Sequence, residues 1–293
     1  MSKTISVGLI SSVDSGTVIK ELMPEVERRG HKFTQIVFNQ AELTSTREAF
    51  EQKNLLSFDV LYYRTGLGNV WARELELFLK DNNRTAINLD IVNHPYRNYK
   101  TQQILQAART DVLMPKTIVG KNYNYENIKK VLGSKFIIKA DRSSGGRDVH
   151  VIESGEEFTS LEDDYELKDY LYQEYLPHDH DFRIHLIDGK AIAAYKRVPV
   201  KGDFRTNVTI GGSMHSVTDE VKEVLYPAAE KVAALLGLNI CAVDFLERST
   251  DGAYFFMETN INPGWENSDT DATGVNMSSL VVDYFELLAI RES

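Results

Sequence analysis

The chain has 293 residues, 42% hydrophobic and 26% charged, with a mean hydropathy of -0.30. That balance suits a soluble globular protein with one large core or two to three smaller ones, and it excludes long disorder and collagenous repeats. Acidic residues outnumber basic ones 43 to 33, a net charge of -10, which disfavours non-specific binding to nucleic acid or anionic lipid. The single cysteine, the lack of an apolar run long enough for a bilayer and the absence of a signal-type N-terminus predict a cytoplasmic protein with no membrane or nucleic-acid partner.

In chain order, Ile5 to Ile10 reads as a strand, followed by a helix with Val18, Leu22 and Val26 on one face that stops near Gly30. Further strands are predicted at Phe33–Phe38, Val60–Tyr63 and Thr85–Leu89, with a helix around Leu75–Leu79. Strands alternating with helices point to a small parallel sheet with covering helices over residues 1–95. The first strand–helix turn, Ser11 to Gly16, matches no glycine-rich phosphate loop. A helix carrying Ile104, Leu105 and Ala108 comes next, then strands at Lys116–Val119, Lys135–Ala140 and Val149–Ile152. The acidic run from Glu153 to Glu166 reads as a solvated face. Strand signals are dense at Tyr170–Leu176, Phe182–Ile187 and Ala191–Arg197. A long helix spans Glu220–Leu236, with Val221, Val224, Leu225, Ala228, Val232 and Leu235 at helical spacing. Strands at Ile240–Leu246 and Ala253–Thr259 and a closing helix from Asn276 to about Ile290 complete an α/β head on an α+β body.

Chemistry concentrates in Ala242-Val243-Asp244-Phe245 and in Glu258-Thr259-Asn260-Ile261-Asn262-Pro263-Gly264. Residues two apart on a strand share a face, so Glu258 and Asn260 point the same way, and Asp244 joins them if the strands are neighbours. Two carboxylates and an amide oxygen are hard ligands suited to magnesium rather than zinc. On these residues alone, strand-end polar groups facing water are the open alternative. Lys139 ends an apolar strand and leads into Asp141-Arg142-Ser143-Ser144-Gly145-Gly146-Arg147-Asp148, whose backbone amides can wrap phosphate. The same stretch also fits a plain hairpin turn. His178-Asp179-His180-Asp181 lacks zinc spacing and reads as polar residues facing solvent or substrate. Cys241 reads as inert core, Trp71 as packing and Trp265 as a bulky surface residue near the site.

The order of these features resembles the ATP-grasp superfamily, with the nearest likeness to its RimK-type ligases, which add glutamate or related amino acids to a carboxylate. The features are Lys100, Lys139 with its small-residue loop, Gln173-Glu174-Tyr175-Leu176, Asp181-x-Arg183, Arg197, Asp203-Phe204-Arg205-x-Asn207 ahead of Gly211-Gly212, Asp244, and Glu258-x-Asn260-x-x-Pro263-Gly264. The likeness covers roughly residues 95 to 290. It implies an ATP-grasp fold with a Rossmann-like pre-ATP-grasp domain at 1–95, a central subdomain at 96–175 bearing the lid loop, and a C-terminal subdomain at 176–293.

Carried over by the resemblance, Lys100 and Lys139 hold ATP phosphates together with Ser143, Ser144, Gly145 and Gly146. Gln173 to Leu176 read adenine through the backbone, with Asp181 on the ribose and Arg183 beside the nucleotide. Arg197, Arg205 and Asn207 serve the transferring phosphoryl group and the carboxylate. Asp244, Glu258 and Asn260 ligate magnesium, or manganese in its place. The loop departs from the RimK-type Glu-Gly-Thr-Gln-Gly-Ile-Gly-Val pattern. With Arg64 and Arg205, the loop arginines Arg142 and Arg147 hint at an anionic substrate, the alternative being that ATP phosphates engage them all.

The implied reaction is amide formation through an acylphosphate on an amino-acid or peptide substrate, with the 141–148 loop as lid; the likeness also suggests self-association. No Ser-His-Asp or Cys-His arrangement is required or found. Two other readings remain: a nucleotide-binding regulatory or scaffold protein, and a phosphotransferase that forms no amide.

Overall fold

The first apolar run forms β1 (Ser6–Ser11), and helix α1 (Gly16–Arg28) lays Val18, Leu22 and Val26 against it, spaced four apart on one buried stripe. The computed structural model describes residues 3–11, 16–38, 46–64, 69–93, 99–120, 123–142, 148–164, 170–200, 212–265 and 267–291. Gly30, at φ +79°, takes the left-handed conformation that ends the helix and lets the chain re-enter the sheet as β2 (Lys32–Val37). Then come α2 (Thr46–Gln52), β3 (Val60–Arg64) and α3 (Asn69–Asp81). The sheet is parallel in the order β2-β1-β3. The strand expected at 85–89 is reduced to one parallel bridge between Tyr62 and Ile87. Asn88, at φ +64°, breaks the ladder there and spends its side chain on the body of the molecule. Its amide donates to Ile240 O at 2.6 Å, and its oxygen accepts from Asn239 N and Ile240 N at 2.9 and 3.0 Å.

Helix α4 (Lys100–Ala107) leads to β4 (Thr117–Val119), α5 (Tyr125–Leu132), β5 (Phe136–Ala140), β6 (Val149–Ile152), α6 (Gly155–Asp164) and β7 (Tyr170–Glu174). These strands form an antiparallel sheet ordered β4-β7-β5-β6. Its core is largely aromatic, with Phe136, Phe158 and Tyr172 packed among Ile128, Ile138 and Ile152. The acidic run is therefore more than a solvated face. It folds into α6, whose Phe158 and Leu161 turn inward while Glu156 and Glu157 stay exposed.

The third sheet is antiparallel in the order β10-β9-β8-β11-β12, built from β8 (Asp181–Ile187), β9 (Lys190–Val198), β10 (Ser213–Ser216), β11 (Ile240–Glu247) and β12 (Tyr254–Asn260). One face is covered by α7 (Asp219–Leu236). Its buried stripe is Leu225, Ala229, Val232, Ala233 and Leu236; of the predicted positions Leu225 and Val232 lie in it, Val221 and Ala228 pack half-buried against it, and Val224 is 54% exposed. The short α8 (Asn267–Thr273) and α9 (Met277–Arg291) close the chain. Helix α9 packs on α1, where Arg29 and His31 meet Asp283 and Glu286. No helix among the described residues is long and apolar enough to cross a membrane.

Candidate active site

The strand registers put the predicted chemistry on the other face of the five-stranded sheet. Asp181 lies opposite Arg197, Arg183 opposite both Tyr195 and Asp244, and Asp244 opposite Glu258, while Ala242 stands opposite Asn260. With a two-residue period, every one of these positions faces the same way. The sheet thus carries a ladder of ionic groups across four strands.

The ladder is fully paired. Arg197 grips Asp181 with two hydrogen bonds, Nε to Oδ1 at 2.7 Å and Nη2 to Oδ2 at 2.6 Å. Arg183 holds Asp244 in the same fork, at 2.8 and 2.7 Å. Arg197 also reaches Asp244 Oδ2 at 3.0 Å, and Asn260 Nδ2 donates to that oxygen at 3.2 Å. Burial alone would push the Asp244 carboxyl up, but the two guanidiniums outweigh it and hold it well below the ordinary carboxylate range. Both arginines are driven the other way: burial opposes their charge, and the facing carboxylates more than restore it.

At the rim, Lys100 Nζ stands 3.4 Å from Glu258 Oε2. Lys139, at the end of β5, is buried, and its pKa falls from 10.5 to about 8. Desolvation is the main cause, the nearby Lys100 charge adds to it, and Glu258 opposes it. Two ammonium groups and a carboxylate thus meet where the four-stranded sheet approaches the five-stranded one.

The segment expected to read adenine through its backbone begins at the end of β7. Gln173 is buried, with its amide on Thr117 Oγ1 at 2.9 Å. Glu174 Oε1 accepts from Lys116 N at 2.7 Å, and Glu174 N donates to Lys116 O at 2.9 Å. Both side chains therefore serve the junction with β4. Lys135 lies over the Tyr175 ring, 4.1 Å from its centre, and Leu176 is buried with Leu246 and Phe255. Ser143, Ser144, Gly145, Gly146, Arg147, Arg205 and Asn207 lie outside the described residues, as does most of the expected lid.

Two expectations change. Trp265 is not a surface residue: it is 2% exposed and donates from Nε1 to Ser278 Oγ at 2.9 Å. Arg64 is committed to structure, donating to Pro263 O at 3.0 Å and Tyr62 OH at 3.1 Å beneath a face of Trp265. It clamps the Pro-Gly turn that follows Asn260. In the His178–Asp181 segment, His180 bridges the exposed Asp179 and Glu247. Among the described residues no group of three His, Cys, Asp or Glu side chains converges for a metal. Cys241 is buried, its thiol pushed up to about 12 by burial.

The sequence reading missed Arg183 as the principal partner of Asp244, and the roles of Gln103 and Asn88. Arg183 carried a signal, its alternation with Asp181. Gln103 and Asn88 carried none, because each bonds to backbone far away in the chain.

The family model for the RimK-like ATP-grasp domain matches residues 97–285. A protein of Psychromonas ingrahamii named "Probable alpha-L-glutamate ligase" is 29% identical over 282 residues, covering 91% of this chain and 90% of its own. One of the same name from Methanococcoides burtonii is 28% identical over 286 residues, covering 91% and 90%. Among solved structures, the ATP-grasp ligase PsnB complexed with minimal precursor superposes with a TM-score of 0.70 at 14% identity, over 98% of this chain and 100% of its own. D-alanine–D-alanine ligase from Bacillus anthracis does so with a TM-score of 0.70 at 15% identity, over 99% and 98%.

Proposed function

The chain belongs to the RimK-like ATP-grasp family, and on that premise we propose that it is an ATP-dependent ligase joining an amino acid to the carboxylate of a small molecule, peptide or protein, acting in the cytoplasm. The names of its relatives favour glutamate as the amino acid. The observation that carries the reading is the convergence of Asp244, Glu258 and Asn260 on one sheet face with Lys100 and Lys139 at its rim.

The donor set fits a hard divalent cation, magnesium or manganese. Asp244 and Glu258 are opposite each other, and Asn260 turns its NH2 toward Asp244, so its amide oxygen is the atom left for a cation. When bound, the ion neutralises phosphate charge that would otherwise repel the attacking carboxylate. In this reading Lys100 and Lys139 hold the phosphates, and Arg183 and Arg197 keep Asp244 ionised and aimed. A carboxylate is a poor acyl donor because oxide is a bad leaving group. Its oxygen attacks the γ-phosphorus, the bond to the bridging oxygen breaks, and ADP departs. The amine then attacks the acyl carbonyl and loses a proton as phosphate leaves, giving the amide. No nucleophilic side chain takes part.

The test is ADP release from ATP and magnesium against pools of amino acids and short peptides, with mass spectrometry of each active pool. A product mass equal to two substrates less one water is expected. ATP bound without turnover in every pool favours the regulatory reading, and ADP with a phosphorylated product favours the phosphotransferase. Asn260→Ala is expected to stay folded and lose about 10²–10³ in rate; full activity removes the cation assignment.

A further inference from the structure

Helix α4 touches both halves of the proposed nucleotide site. Its second-turn side chain, Gln103, is 3% exposed and makes two bonds to one residue of β12: Nε2 donates to Thr259 O at 2.9 Å, and Oε1 accepts from Thr259 N at 2.8 Å. β12 is the last strand of its sheet, so the outward N–H and C=O of Thr259 have no further strand to pair with. The Gln103 carboxamide takes that strand's place. Thr259 lies between Glu258 and Asn260, so fixing its peptide fixes how its two neighbours project on the opposite face.

At the other end, the first turn of α4 has open backbone N–H groups, and Tyr99 at the N-cap position offers no side-chain cap. The cap comes from across the site. Asp141, two residues after Lys139, accepts from Lys100 N through its backbone oxygen at 3.2 Å and from Thr101 N through Oδ1 at 2.7 Å. Next to it, the Arg142 guanidinium lies over the Tyr99 ring, 4.9 Å from its centre. The root of the 141–148 loop is therefore tied to the helix that begins with Lys100.

We infer that α4 acts as a ruler between the two sheets, with Asp141 and Gln103 as positioning residues. Asp141 keeps Lys100 and Lys139 at a fixed separation for the phosphates. Gln103, one helical turn along, keeps Glu258 and Asn260 in register for the cation. Neither needs to touch nucleotide or metal. This inference rests on the ATP-ligase reading.

The test uses the full chain and its variants Asp141→Ala, Asp141→Asn and Gln103→Leu, each checked by its melting curve. Calorimetry measures binding of a non-hydrolysable ATP analogue, and electron paramagnetic resonance measures Mn²⁺ binding at saturating analogue. Asp141→Ala is expected to weaken the analogue about tenfold. Asp141→Asn keeps an oxygen acceptor for Thr101 N and is expected to restore most of that loss. Gln103→Leu is expected to weaken Mn²⁺ about 10- to 100-fold with a smaller effect on the analogue. Unchanged analogue affinity in Asp141→Ala, equal loss in both Asp141 variants, or unchanged Mn²⁺ affinity in Gln103→Leu overturns the inference. If Gln103→Leu does not fold, the two variants at the partly exposed Asp141 decide alone. A wild-type chain that binds no analogue overturns the ligase reading itself, whereas one that binds as its variants do overturns only the ruler.

Discussion

The two antiparallel sheets bring opposite materials to the place where Lys139, Lys100 and Glu258 meet. The five-stranded sheet presents a face of ions, with Asp181, Arg197 and Asp244 buried and Arg183 half-buried, each hydrogen-bonded to an opposite charge beside it. The four-stranded sheet fills its interior with Phe136, Phe158 and Tyr172, and contributes one buried lysine, Lys139. An apolar layer is stabilised by burial in any order, residue by residue. An ionic ladder is stable only when complete, because each ion has lost its water and relies on its partner. The first kind of sheet tolerates change and the second specifies a site.

The sharpest break in that contrast is Asp244→Ala. It removes the carboxylate that Arg183 grips and leaves the buried Arg197 with Asp181. Loss of one partner from such a group costs about 3–5 kcal/mol, and urea unfolding is expected to show it together with loss of ligation. A variant within 1 kcal/mol of wild type would mean that water reaches the guanidiniums and that the ladder is not closed.

The same contrast explains what the sequence revealed. Asp244, Glu258 and Asn260 stand out because a polar residue at every second position interrupts apolar strands, a pattern visible without a structure. Their convergence required strand order, which β11 beside β12 supplies. Arg183 alternates with Asp181 in the same way, yet one sequence cannot say which carboxylate it faces; β8 lies between β9 and β11, and the register selects Asp244. Where function rests on backbone, the sequence is nearly silent. Gln103 and Asn88 are ordinary polar residues until their distant peptide partners are known. The helices α5, α6 and α8 were also missed, being short and, for α6 and α8, rich in polar residues. Trp265 was misplaced because its cover comes from parts of the chain that one sequence does not bring together, Arg64, 201 residues earlier, and a buried cluster that includes Met277 and Val281.

A smaller effect tests how dry the meeting point of the sheets is. The pKa of Lys139 is about 8 in the folded chain against 10.5 ordinarily. The native state thus binds fewer protons than the unfolded one between those values, and stability rises with pH across the window; below about pH 8 the cost of burying the charge is fully present. Phosphate binding favours the charged lysine. Affinity for a non-hydrolysable ATP analogue is therefore expected to fall several-fold from pH 7 to pH 9, with proton uptake on binding near pH 8. Calorimetry in buffers of different ionisation enthalpy measures both. Lys139→Met is expected to flatten the profile, and a profile that keeps its slope in that variant assigns the titration to another group.

The smallest expected effect separates the sheets most cleanly. Glu174 is charged and lies in the segment proposed to read adenine, but its carboxylate is bonded to Lys116 N at the start of β4. If this sheet recognises the base through main chain, the side chain matters only to the strand junction. Glu174→Ala is then expected to cost about 1 kcal/mol of stability, the worth of one hydrogen bond at a partly exposed position, and to leave analogue affinity within twofold. Glu174→Gln, which retains an oxygen acceptor, is expected to cost less. A tenfold loss of affinity in Glu174→Ala at unchanged stability would place the carboxylate on the nucleotide. The four-stranded sheet would then carry its half of the site in side chains, as the five-stranded sheet does.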